Sequence, residues 1–416
     1  MSTWFFIIPI GLAVVCWCIF GVIFRRTLLS LWFEPVLRVP VLIFESDDWG
    51  PGEPFHAKRL QRLADILSKY RDAQGRHPVA TLGIVLAIPD QLRMREQGGE
   101  RYIPLTLADA RFAEMRDVIR RGEQRRVFSV QLHGMEHYWP PALMVAKHVG
   151  AVASWLSAEF PRTEALPAPL QSRWIDASVL PSKQHEWPEI ERAANEEVQH
   201  FSQVFGHSPA VAVPPTFVWS EDVERAWANN GVHVIVTPGR RFVGRDEHGK
   251  LIASGAPIRN GMRNAKGLVY MVRDDYFEPA KGHRAERAWA ALESKTRCGR
   301  PTLLEMHRYN FVDDSAVAER SYEELARAIE GALQRFPNLV FTSTGALAKA
   351  MADEKSSLIE TGMRARLLAW CWRIRQEAPV WRAARITGLA LLMTLLLGKS
   401  TLSPLPEGEG KGEGYS

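Results

Sequence analysis

The sequence predicts a (β/α) barrel with a membrane-associated segment at either end, and three observations predict it. Short apolar runs alternate with longer amphipathic ones across residues 38–353, which is the pattern of repeated βα units. An uncharged apolar stretch precedes that region, and a basic, tryptophan-bearing stretch comes after it. A chain of 416 residues, 46% apolar and 24% charged, is long enough for one large core with appendages, and its composition is neither disordered nor fibrous.

The first segment, 1–30, holds 21 uncharged residues from Trp4 to Phe24, enough helix to cross a hydrocarbon layer. Arg25 and Arg26 come directly after it, where a cleaved signal would carry its charges ahead of the apolar run. A retained single-pass anchor in the inner (cell) membrane is expected. With Arg25, Arg26 and Arg38 behind it, the domain that follows is expected to face the cytoplasm.

In the region 38–353, strands are expected at 39–46, 80–88, 127–132, 210–213, 232–237, 267–272, 302–306 and 339–342. Helices are expected at 56–70, 107–121, 188–205, 220–230, 284–294, 316–336 and 344–352. Seven or eight such units close into a barrel, with an open doubly wound sheet as the structural alternative. The segments 89–125 and 138–207 exceed what a compact barrel needs and are expected to form a substrate lid.

Residues 354–402 change character. Between Met363 and Arg385 stand six arginines, one glutamate and three tryptophans, as in a basic interfacial helix. Residues 386–398 are apolar but too few for a crossing, so both chain ends are expected to hold the barrel mouth near the membrane. The Gly/Glu/Pro-rich tail, 403–416, reads as disordered.

The net charge of +5, from 52 basic and 47 acidic side chains spread along the chain, gives no nucleic-acid footprint. The four cysteines form neither a disulfide framework nor a CxxC pair.

The chemistry collects at strand ends. The first strand delivers Asp47 and Asp48 into the turn Trp49-Gly50-Pro51-Gly52, which in a barrel is the active-site rim. The third ends in His133 and His137, four residues apart, a spacing that puts both imidazoles on one face of a helical turn. Two imidazoles and a carboxylate make a three-ligand site that leaves room for water. His307 stands at the end of another apolar run, and a histidine facing such a site is a natural general acid. Each signal alone is weak, since acids before Gly and Pro are common in turns.

Together, Phe44-Glu-Ser-Asp-Asp-Trp-Gly50, His133-Gly-Met-Glu-His137 and Leu304-Glu-Met-His307 resemble the first, second and last motifs of the polysaccharide deacetylase (NodB-homology) family. The resemblance implies a distorted (β/α)7 barrel, Asp47 as general base, and Asp48, His133 and His137 holding a divalent metal, zinc first. It implies His307 as the acid that protonates the leaving group. The substrate would be an acetylated sugar or glycan, lipid-linked if it is modified before export. Trp49, Pro214, Pro215 and Phe217 are candidates for the pocket wall.

The sequence departs from the family in two places. Where an Arg-x-Pro-aromatic motif is usual, this chain reads Ala212-Val-Pro-Pro-Thr-Phe217, so the cation that orients Asp47 must come from elsewhere, with Arg240 and Arg273 as candidates. The aspartate that tunes the acid histidine is expected at Asp274, with Asp275 beside it. The missing arginine motivates a second reading, a catalytically silent, membrane-tethered glycan-binding or assembly protein. A third is another metal hydrolase on the same barrel.

Overall fold

The computed structural model describes residues 4–353 and 355–397, with side chains from Gly11 onward; the tail 403–416 lies outside the described residues. Its parallel sheet is built from β1 (Val41–Trp49), β2 (Ala80–Ile84), β3 (Phe128–Leu132), β4 (Val211–Ala212), β5 (Val234–Thr237), β6 (Val269–Val272), β7 (Asp275–Tyr276), β8 (Thr302–His307) and β9 (Val340–Phe341). All nine residues of β1 are buried, as expected of a strand covered on both faces. The strand order is β6-β5-β4-β3-β2-β1-β8-β7, with β9 on the start of β1. The two outer strands, β6 and β7, are separated in the chain only by Arg273 and Asp274. The sheet therefore comes round on itself through one interrupted strand, which fits a distorted α/β barrel rather than an open doubly wound sheet.

All seven expected barrel helices are present, and they use the apolar spacing that suggested them. Phe55–Leu67, for example, buries Leu60, Leu63, Ala64 and Leu67, the i, i+3, i+4, i+7 stripe of a helix facing a core. The long insertions carry small hairpins of their own, Ala87–Pro89 with Pro104–Thr106 and Ile175–Asp176 with Lys183–Gln184.

The terminal segments differ from expectation. Among the described residues no single helix is long and apolar enough to cross a membrane; two pairs pass together only as bent pairs. Gly11–Ile23 meets Arg25–Phe33 at 72°, and Ala378–Ile386 meets Leu389–Leu397 at 107°. The basic stretch is also divided, into helices Met363–Gln376 and Ala378–Ile386.

These helices join the barrel at the end where its strands begin. Arg373 is buried and donates to the carbonyls of Leu31 (2.9 Å), Glu34 (2.7 Å), Pro35 (2.8 Å) and Cys298 (2.8 Å). Arg300 forks onto Glu34 at 2.8 and 2.9 Å. Glu34 precedes β1 and Arg300 precedes β8, so the attachment lies at the pole opposite the strand ends. Both chain ends were expected beside the barrel mouth; they attach at the opposite pole.

Replacing Arg373 by methionine leaves four buried carbonyls without their donor. Unfolding monitored by chemical denaturation should show a loss of about 3–5 kcal/mol, by the cost of orphaned buried polar groups.

Candidate metal and acid/base centre

A regular strand sends successive side chains to opposite faces, so two adjacent aspartates cannot both face one site without a break. β1 supplies the break. Its register with β2 shifts between Ser46 and Trp49, and Asp48 takes φ of 69°, a conformation that non-glycine residues seldom adopt. The bulge turns Asp48 toward the two histidines while Asp47 faces the barrel interior. Room for Asp47 comes from Gly83, where a Cβ would lie 2.2 Å from Asp47 Oδ1.

Asp48, His133 and His137 offer ligand atoms that all lie within 4.8 Å of one another. The Nε2 atoms of His133 and His137 stand 3.6 and 3.7 Å from Asp48 Oδ1, a buried oxygen with no hydrogen-bond partner. His133 Nδ1 lies 2.9 Å from the Val213 carbonyl. A carbonyl only accepts, so Nδ1 carries the proton and Nε2 keeps its lone pair for a cation. Burial, then the neighbouring His133, holds His137 well below the ordinary imidazole range, which keeps it neutral as a ligand must be. One carboxylate and two imidazoles, each turning Nε2 to the same oxygen, fit a divalent metal ion.

Asp47 is held by Arg273, whose Nη2 lies 2.6 Å from Oδ2. The same guanidinium reaches Glu305 through Nε at 3.1 Å and Glu45 through Nη1 at 3.2 Å. Burial alone would raise the Asp47 carboxyl, but the charge and the hydrogen bond of Arg273 hold it well below the carboxylate range. Of the two candidate cations, Arg273 is the one paired with Asp47; Arg240 is exposed.

His307 faces Asp47 across the β1–β8 ladder. Its Nδ1 pairs with Glu278 Oε1 at 2.6 Å, and its Nε2 lies 3.9 Å from Glu305. Burial would lower this imidazole; the Glu278 carboxylate overrides it and pushes the pKa up to about 10. With a side chain 26% exposed, His307 is the most accessible of the five central residues.

Three sequence expectations are corrected here. Asp274 does not touch His307: its carboxylate pairs with Lys295, and Asp275 lies 3.4 Å from the same ammonium. The apolar run ends at Val272, but the strand resumes at Asp275–Tyr276, so the rim falls four residues later, at Glu278. The signal for it was an acid set between Phe277 and Pro279. Trp49 is not a pocket wall, being fully buried, with its indole N–H on Ser46 Oγ at 2.9 Å and its ring against Phe311. Pro215 and Phe217 are buried too. Pro215 backs Gly134 in the histidine turn, and the Phe217 ring lies 5.1 Å from the Arg273 guanidinium.

The 138–207 insertion reaches the turn that carries the two histidines. Its Arg173, fully buried, pairs with Glu136, which sits between the two histidines, and lies 3.4 Å from Glu197. Glu197 in turn accepts from Met135 N at 3.2 Å. Two backbone-adjacent contacts thus fix the turn that presents His133 and His137.

No protein-family model and no curated protein matches the chain. Solved structures similar to it include a family 4 acetyl xylan esterase from Clostridium thermocellum in complex with a cobalt ion, 13% identical at a TM-score of 0.35, covering 74% of this chain and 90% of that one. A peptidoglycan deacetylase from Bacillus subtilis is 10% identical at a TM-score of 0.34, covering 76% and 92%. A pseudoenzyme of the CE4 family from Bacillus anthracis is 11% identical at 0.36, covering 77% and 68%. Likenesses this remote say nothing of activity, for which the residues of this chain must speak.

The Glu278–His307 pair predicts a pH effect with a definite sign. A raised pKa keeps the ring protonated to higher pH, so in Glu278→Gln the alkaline limb of kcat/KM should move to lower pH. An unmoved limb in paired pH–rate profiles would assign it to another group.

Proposed function

We propose that this protein is a metal-dependent hydrolase that removes an acetyl group from an acetylated sugar or glycan. The observation that carries the reading is the convergence of a three-ligand cluster, a carboxylate kept ionised and an imidazole kept protonated at neighbouring strand ends. A pair whose pKa values are driven apart in this way supplies a base and an acid at the same pH.

A divalent cation at Asp48, His133 and His137, with zinc the first candidate for that donor set, would supply Lewis-acid polarisation of the acetyl carbonyl and of water. Asp47 takes the proton from the attacking water, and Arg273 keeps its carboxylate ionised and aimed. His307, charged and held through Nδ1 by Glu278, gives its Nε2 proton to the departing amine, or to the alcohol of an O-acetyl group. The silent-binder reading was motivated by the missing arginine, and Arg273 removes that motive.

Acetate release from N- and O-acetylated oligosaccharides, with metal content measured alongside, tests the assignment. Asp47→Asn and His307→Ala should each reduce turnover by about 10²–10⁴-fold with metal retained, whereas Asp48→Ala should lose the metal. Metal loss in either of the first two variants would show the roles misassigned.

We further infer that the catalytic domain lies on the cytoplasmic side, from the arginines that come after the first apolar helix. A cytoplasmic reporter fused after residue 353 should be active and a periplasmic phosphatase silent; the reverse pattern refutes it.

A further inference from the structure

The helices at the two chain ends share a hydrophobic core of their own, separate from the barrel's, built from Phe20, Leu31, Ile374, Val380, Ala384 and Met393 among others. Two tryptophans tie the ends together: Trp17 Nε1 donates to Thr387 O at 2.8 Å and Trp370 Nε1 to Leu28 O at 2.9 Å. The last helix shows which face is left over. Ala390 and Met393 are buried while Leu391, Leu392, Leu395 and Leu396 are exposed, the i, i+1, i+4, i+5 positions of one helical stripe.

Leu12, Val22, Ile23 and Ile386 in the same terminal helices are exposed as well, Ile386 at 81%. Most of the exposed large apolar side chains among the described residues lie in these two short segments, far more than scattered surface residues would give. The exposed charges beside them are all positive: Arg25, Arg26, Arg364, Arg382 and Arg385. Glu377, between the helices Met363–Gln376 and Ala378–Ile386, is half-buried and paired with Arg259 at 2.6 Å, and Glu34 is buried against Arg300. An apolar face rimmed only by arginines matches a bilayer with anionic headgroups.

We propose that the two chain ends form one bilayer-inserting foot, and that the site opens away from the membrane that holds it. The foot meets the barrel at Glu34 and Cys298–Arg300, just ahead of β1 and β8. Asp47, Asp48 and His307 stand at the other end of the same two strands, roughly 20 Å on by the rise of a strand. Given the deacetylase reading, the substrate class is a glycan long enough, or free enough, to reach a mouth turned to the aqueous phase. The sugar head of a lipid in the same leaflet would sit at the wrong pole.

The test uses the full chain with Cys16→Ser and Cys18→Ser, and vesicles of phosphatidylcholine with and without phosphatidylglycerol. The protein should float with the anionic vesicles, and Leu391→Glu with Leu395→Glu should reduce flotation at least tenfold with metal content unchanged. A fluorophore on Leu395→Cys should be quenched by a quencher carried on the lipid chains. The same fluorophore on Lys281→Cys, beside Tyr309 at the site rim, should not be. Protein that stays out of the vesicle fraction, or that covers the face by dimerising instead, overturns the foot. Equal quenching at both labels overturns the orientation. None of these readouts needs turnover, so a failed deacetylase reading would show separately, as bound vesicles without acetate release.

Discussion

The Arg273 guanidinium is the contact on which the rest depends. It is fully buried among three buried carboxylates, Glu45, Asp47 and Glu305, two from β1 and one from β8. Removing one partner of such a cluster leaves uncompensated charge in a dry interior, a cost of about 3–5 kcal/mol. Arg273 occupies the break between β6 and β7, the point where the sheet comes round on itself. Closure of the barrel and ionisation of Asp47 are therefore one interaction. Glu45 is secured further by Gln131 Nε2 at 2.9 Å and by Thr344, so the cluster also ties β3 and the helix Thr344–Ala352 into the core.

Strain is concentrated beside this anchor. Asp48 holds a left-handed backbone that costs of order 1–3 kcal/mol, and its Oδ1 is buried without a partner. Both costs fall on the residue that would offer a carboxylate to a metal, and a cation completing the cluster would offset both, since metal binding couples to the stability of the fold that forms the site. Gly83 is the complementary concession on β2, because any side chain there would displace Asp47.

Legibility in the sequence depended on where periodicity keeps its meaning. The barrel strands and helices were legible, since each buries a regular stripe. Asp47, Asp48, His133, His137 and His307 were legible because each stands at the end of an apolar run. Glu278 was not, because the strand that carries it is interrupted at Arg273, and a reading that ends the strand at Val272 lands on Asp274, which faces Lys295. Trp49 was misread for a related reason: the bulge at Asp47–Asp48 reverses the alternation, sending the indole into the core. The arginine for Asp47 could be narrowed only to two candidates, since no local pattern marks a contact made across the barrel from β6 to β1. The bends in the terminal helices were equally hidden, because composition gives apolar length but not where a helix turns back.

β1 and β8 run side by side without a register break from Leu42 and Thr302 to Asp47 and His307, and they are clamped at both ends. Below, Arg300 ahead of β8 forks onto Glu34 ahead of β1; above, Arg308 N donates to Asp47 O at 2.9 Å. A two-strand ladder fixed at each pole has little freedom to shear, so Asp47 and His307 keep their separation whatever happens at the terminal helices. That rigidity lets one chain combine an exposed apolar surface at one pole with a centre that would tolerate little misplacement at the other, since the two are joined through a clamped ladder and not through a loop.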